Sequence, residues 1–182
     1  MTSLLDYLNR IRPDNLKVAP ARADTKPYPL RGKSPYKPML LLAVLQAIRD
    51  GDAPFTRGII EIADCRGRFE SLYTSLAGDS RIGDLDVQLS QPFWYFGAGV
   101  PRIWTLVPRE GRESELKRAI AAGTQVKSVG KLDSLVSCAE LSASDLNLLS
   151  NDVANTAISA FVIRTYFTGI ETEVFEAVAS AR

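Results

Sequence analysis

The chain has 182 residues, 46% of them hydrophobic and 24% charged, with a formal net charge of +1 and no histidine. That length suits one domain able to bury a core without disulfides, and the composition excludes fibrous and disordered classes. The near-zero charge excludes a binder steered globally to nucleic acid. The missing histidine excludes His-dependent nucleases, classical serine and cysteine triads and His-containing zinc sites.

In chain order, Thr2 or Ser3 can cap a short helix through Ile11, with Leu4, Leu5, Leu8 and Ile11 as its apolar stripe and Pro13 as its stop. No basic, apolar, small-residue leader pattern opens the chain, and no apolar run approaches the ~18 residues of a membrane span, so the expected location is intracellular and cytoplasmic, with no membrane partner. Residues 12–37 read as a long, Pro-rich surface loop. Between Lys17 and Lys37 six basic side chains face Asp24 alone, the one local patch suited to phosphates.

Met39 to Ile48 is apolar on nearly every side and is expected to form the buried central helix, starting with Pro38 at the first helical position, Lys37 extended before it, and stopping at Asp50-Gly51. Pro35, Tyr36 and Lys37 then sit at an electropositive helix end, where phosphate binds readily. Phe55 to Ile62 fits either a short extended segment or a helix entry. Arg66 to Leu76 predicts a helix closed by Gly78, with Phe69, Leu72, Tyr73 and Leu76 on one side. Leu85, Val87 and Leu89 alternate as in a short strand.

Pro92-Phe93-Trp94-Tyr95-Phe96, a Gly-rich turn, and Arg102 to Val107 predict a β-hairpin, with Phe93 and Tyr95 on one face and Trp94 and Phe96 on the other. Trp94 and Trp104 read as structural, whereas Pro92 and Tyr95 near a strand end suit a rigid apolar contact surface. Glu113 to Ala122 predicts a helix, Leu135 to Leu141 a strand, Ser142 to Asp145 a capping box, Asn151 to Phe167 the last core helix and Ile170 to Ala179 a short final one. The fold class is therefore α+β, mainly helical: a buried central helix, surrounding helices and a small antiparallel β-hairpin. Cys65 and Cys138 have no pairing motif and read as small buried side chains.

Lys37-Pro38-Met39-Leu40-Leu41-Leu42, then Gln91-Pro92-Phe93-Trp94-Tyr95-Phe96 with a glycine turn and a Trp, then Ile163-Arg164-Thr165-Tyr166-Phe167 follow one another along nearly the whole chain. Together they resemble the DNA sulfur-binding domains that precede HNH nuclease domains in modification-dependent restriction endonucleases. The resemblance implies a single DNA-recognition domain over residues 1–182, its HNH nuclease part lying beyond this chain, which would account for the absent histidines. It implies a double-stranded DNA partner carrying phosphorothioate, in which sulfur replaces a non-bridging phosphate oxygen. Sulfur is larger and more weakly hydrated than oxygen, so an apolar pocket favours it, while cations bind the backbone with or without the modification.

By this similarity Pro92 would form the wall of the sulfur pocket, Gln91 and Tyr95 its sides, with Phe93 beside them, and Tyr36 and Lys37 its phosphate-facing edge; the basic lead-in adds Arg31 and Lys33, and Arg102 is a further candidate for DNA contact. No catalytic residue, metal or cofactor is expected. Two alternatives from other classes remain. One is a metal-dependent nuclease in its own right, with Glu115-Leu116-Lys117 as a Glu-x-Lys element and Asp84 or Asp86 as partner, although that triplet falls in a predicted helix. The other is a protein-interaction domain docking through Pro92 to Phe96. For Arg102 and the loop Lys127 to Lys131, a solvated surface competes with groove contact.

Overall fold

A computed structural model of the chain describes residues 1–16, 35–77 and 85–181. Arg31, Lys33, Gly78, Asp84 and residues 17–34 of the expected Pro-rich loop lie outside those residues; the described ends of that loop are instead helical, at Pro13–Leu16 and from Tyr36 on. The elements run α1 (Leu4–Arg10), α2 (Pro13–Leu16), α3 (Tyr36–Arg49), a 3-10 turn (Phe55–Arg57), β1 (Ile59–Ile60), α4 (Ile62–Ala77), α5 (Leu85–Ala98), β2 (Thr105–Pro108), α6 (Glu113–Ala121), α7 (Val129–Asp133), β3 (Val136–Glu140), α8 (Ala143–Leu149), α9 (Asp152–Tyr166) and α10 (Glu171–Ser180). The fold is mainly helical with one small antiparallel sheet.

The axis is α3. Every residue from Pro38 to Ile48 is buried, because α4, α5, α8, α9 and α10 all pack against it. Leu40, Leu41, Leu42 and Leu45 are 0 or 1% exposed. At roughly 1.5–3 kcal/mol for each buried leucine, these four side chains alone supply a large share of the drive to fold. The helix ends where expected, with Asp50 as C-cap and Gly51 at φ 80° beyond it. Its start is two residues earlier than expected. Pro35 is the N-cap and Lys37 is helical, so Pro38 stands third in the first turn, where its missing N–H still costs no helical bond.

The larger correction concerns residues 85–98. Neither the alternating strand at Leu85 to Leu89 nor the strand at Pro92 to Phe96 exists: both belong to helix α5, with Pro92 inside it. Leu89, Phe93 and Phe96 recur at i, i+4 and i+7 and are buried, as is Trp94. A proline within a helix costs about 3 kcal/mol. Burying those four side chains at roughly 1.5–3 kcal/mol each outweighs it. Aromatic residues favour strands only where a sheet is there to receive them; here the receiving surfaces are α3, α4 and the Trp104 ring. Trp104 lies 5.0 Å from both the Phe93 and Phe96 rings, edge-on to the latter, and its Nε1–H donates to the Phe93 carbonyl at 3.1 Å.

Of the second half of the expected hairpin, Arg102 to Val107, only the part from Thr105 on is strand, as β2, and its partner is different. The sheet order is β1-β3-β2, with Ala139 of β3 between Ile60 and Leu106. These three side chains face the core. Leu106 then meets α5 at Gly97, where an added Cβ would stand 2.3 Å from the Leu106 Cγ. Thus Gly97 permits close packing of helix on strand.

Local signals held well elsewhere. Ser3 and Asp6 form a reciprocal capping box on α1, though Pro13 opens α2 rather than closing α1 directly. Ser142 caps α8, and Asn151 caps α9. Phe55 to Ile62 combines both expected options, a strand followed by a helix entry. Cys65 is buried and Cys138 half-buried, and both are free thiols.

Candidate nucleic-acid interface

The outer end of α3 brings together residues from two distant stretches of sequence. Tyr36 and Lys37 form its first turn, beyond which the partial positive charge of a 14-residue helix is directed. The Lys37 Nζ lies 4.7 Å over the centroid of the Tyr95 ring on α5. The Tyr36 ring lies 6.1 Å from that of Tyr73 on α4, tilted by 35°. Tyr73 is a member of this cluster that sequence alone assigned only to the core side of its helix.

Helical geometry redistributes the expected pocket residues. At about 100° per residue, Gln91 and Tyr95 share one face of α5, Pro92 lies beside them, and Phe93 points about 160° away from Tyr95. Phe93 is 1% exposed and packs on Trp104, so it is a core residue and does not line a pocket with Tyr95. Pro92 is buried, Gln91 half-buried and Tyr95 exposed. The expectation of Pro92 as an open contact surface at a strand end is overturned.

Arg102 is exposed at the end of the segment after α5. That segment is fixed by the Gly99 N–H donating to the Tyr95 carbonyl at 2.8 Å, the Ile103 N–H donating to Phe96 at 2.8 Å, and Arg10 donating to the Arg102 carbonyl at 3.3 Å. Arg10 also grips Asp145 with both terminal nitrogens and lies 4.7 Å over the Tyr7 ring. Burial alone would raise the Asp145 pKa, but hydrogen bonds from Arg10, Thr2 and Ser142 and the Arg10 charge hold it below the ordinary aspartate value. Because Asp145 is committed to Arg10, the capping box predicted at Ser142 is completed only on the serine side.

The other sequence candidates do not join this cluster. Glu115-Leu116-Lys117 lies on α6, where Glu115 accepts from Arg112 at 2.7 Å and pairs with Lys131 at 3.5 Å. Strong hydrogen bonding from Arg112 holds its exposed carboxyl below the usual range. Lys131 therefore has a partner, and residues 129–133 of the expected basic loop form α7. Among the described residues there is no cluster of His, Cys, Asp and Glu suited to a metal, and no helix long and apolar enough to cross a membrane.

No protein-family model matches this sequence, and no curated protein matches it.

Proposed function

We propose that this chain is a DNA-recognition module that reads a phosphorothioate-modified backbone for an attached nuclease. The observation that carries the reading is the Lys37 ammonium over the Tyr95 ring at the N-terminus of α3. It joins the Tyr36-Lys37 stretch to the Gln91–Tyr95 stretch, the two parts that the sequence resemblance assigns to one site. Cationic and helix-terminal groups supply affinity for any phosphate. Discrimination of sulfur from oxygen falls to Pro92, which is buried beside Gln91 and Tyr95 on α5 and has to be uncovered for the backbone to reach it. An apolar ring desolvates sulfur at lower cost than oxygen.

The deciding experiment measures binding to two duplexes of the same sequence, with and without one phosphorothioate, at several salt concentrations. Tighter binding of the modified duplex is expected, and equal affinities would overturn sulfur reading. Pro92→Ala should reduce the ratio between the duplexes while leaving affinity for the unmodified one nearly unchanged. An unchanged ratio removes Pro92 from the site.

A further inference from the structure

We infer that Arg10 is a positioning residue: it fastens the segment that carries Arg102 and commits its own charge to Asp145 instead of to DNA. The inference rests on the DNA-binding reading above and adds Arg102, with its support, to that interface.

Arg10 stands in the last turn of α1, and the end of that helix is held by α9, where the Tyr166 hydroxyl donates to the Ile11 carbonyl at 2.5 Å. From this anchored point its guanidinium reaches two elements remote in sequence. Both terminal nitrogens donate to the Asp145 carboxylate on α8, at 3.0 and 2.5 Å, and one of them also donates to the Arg102 carbonyl at 3.3 Å. The Tyr7 ring lies 4.7 Å from the guanidinium carbon. A guanidinium carries its N–H donors in a rigid planar fork, so fixing two of them on one carboxylate also fixes the direction of the donor aimed at Arg102.

A charge held in a bidentate pair with a carboxylate that is only 4% exposed is not free for a phosphate. That separates Arg10 from Arg102. The Arg102 side chain is exposed and takes part in no ion pair among the described residues. Its segment continues directly from α5, the helix of Gln91, Pro92 and Tyr95, and is tied back to it by the Gly99 and Ile103 N–H groups, each 2.8 Å from an α5 carbonyl. The turn is tight, since a Cβ added at Gly99 would stand 2.5 Å from the Tyr95 carbonyl oxygen. Arg10 supplies a fastening from outside α5. A cation on a backbone held from both sides has less freedom left to lose when it meets a ligand. Arg10 thereby raises affinity through Arg102, for modified and unmodified duplexes alike, while discrimination stays with Pro92.

Binding of the two duplexes to the full chain at several salt concentrations tests this. Arg10→Gln combined with Asp145→Asn removes the ion pair without changing net charge. It should weaken both duplexes by the same factor, about two- to ten-fold for one lost positioning hydrogen bond, with the log–log salt slope as in the wild type. Arg102→Ala should weaken both and flatten the slope by about 1, and adding the neutral pair to it should have no further effect. Without DNA, amide exchange at Ile103 and Trp104 should quicken in the neutral-pair variant while that at Ile11 stays as in the wild type. A flattened slope in that variant would make Arg10 a direct phosphate contact and overturn the inference. Additive losses, unchanged exchange at Ile103 and Trp104, or faster exchange at Ile11 as well would overturn it too. Arg102→Ala, at an exposed side chain, decides independently of the other variant: unchanged affinities remove Arg102 from the interface and leave the DNA reading intact. If the wild type binds neither duplex, the function itself falls, an outcome distinct from any pattern among the variants.

Discussion

The two ends of α3 carry cations in opposite circumstances. At the C-terminal end Arg68, 8% exposed, donates to Asp50, Asp52 and the Ala181 carbonyl, and Gln46 donates to that same carbonyl. The guanidinium is spent on holding the end of α10 and the turn after α3 to α4. Gln46 leaves its own Oε1 buried with no partner among the described residues. At the outer end the Lys37 ammonium rests on a half-open ring. A cation wrapped by carboxylates and a carbonyl is architecture; Lys37 instead meets an aromatic face beside a helix N-terminus, where negative charge is favoured.

The comparison breaks most visibly through stability. Arg68→Ala strands two partly exposed carboxylates and leaves the Ala181 carbonyl with Gln46 alone, and should lower unfolding free energy by about 2–3 kcal/mol in urea melts, with the preference between the two duplexes unchanged in the folded fraction. Gly97→Ala forces Leu106 aside and should cost about 1–3 kcal/mol by the same measurement. Its effect on DNA binding should be smaller than on stability, because the displaced contact is between α5 and β2.

At the outer end the sign reverses: Lys37→Ala should leave the urea midpoint nearly unchanged and weaken both duplexes several-fold, flattening the log–log salt slope by about 1. A midpoint shift as large as that of Arg68→Ala would make Lys37 architectural as well. The smallest effect expected is on pH dependence. The Asp145 pKa is depressed in the folded state, so its contribution is complete above the unfolded aspartate pKa of about 3.9 and is lost as pH falls through the folded value. In acid titrations of stability, Arg10→Gln should remove part of the decline below about pH 4.

Much of the fold could be read directly. The all-round apolar run at Met39 to Ile48 became the central helix, and Ser3 and Ser142 became N-caps because their side-chain oxygens satisfy N–H groups a few residues away. The stretch from Leu85 to Phe96 could not be read so. Its aromatic residues fit a period of two or of 3.6, and the choice depended on whether the facing surface was a strand or a packed group of helices. That error carried into the site, since strand alternation joined Phe93 to Tyr95 whereas helical rotation separates them and pairs Tyr95 with Gln91. Arg10 and Tyr73 gave no functional signal, because their roles come from Asp145, Arg102 and Tyr36, all remote in sequence.

Sequence by itself determined the mainly helical class, the central helix, the caps and the cation at its outer end, since short-range sterics, hydrogen bonding and burial patterns act within a few residues. Tertiary structure decided that Pro92 is buried, that Phe93 belongs to the core and that Tyr95 lies under Lys37. Those outcomes depend on which surfaces meet across long chain separations, and the free energy of such packing belongs to the pair of elements together.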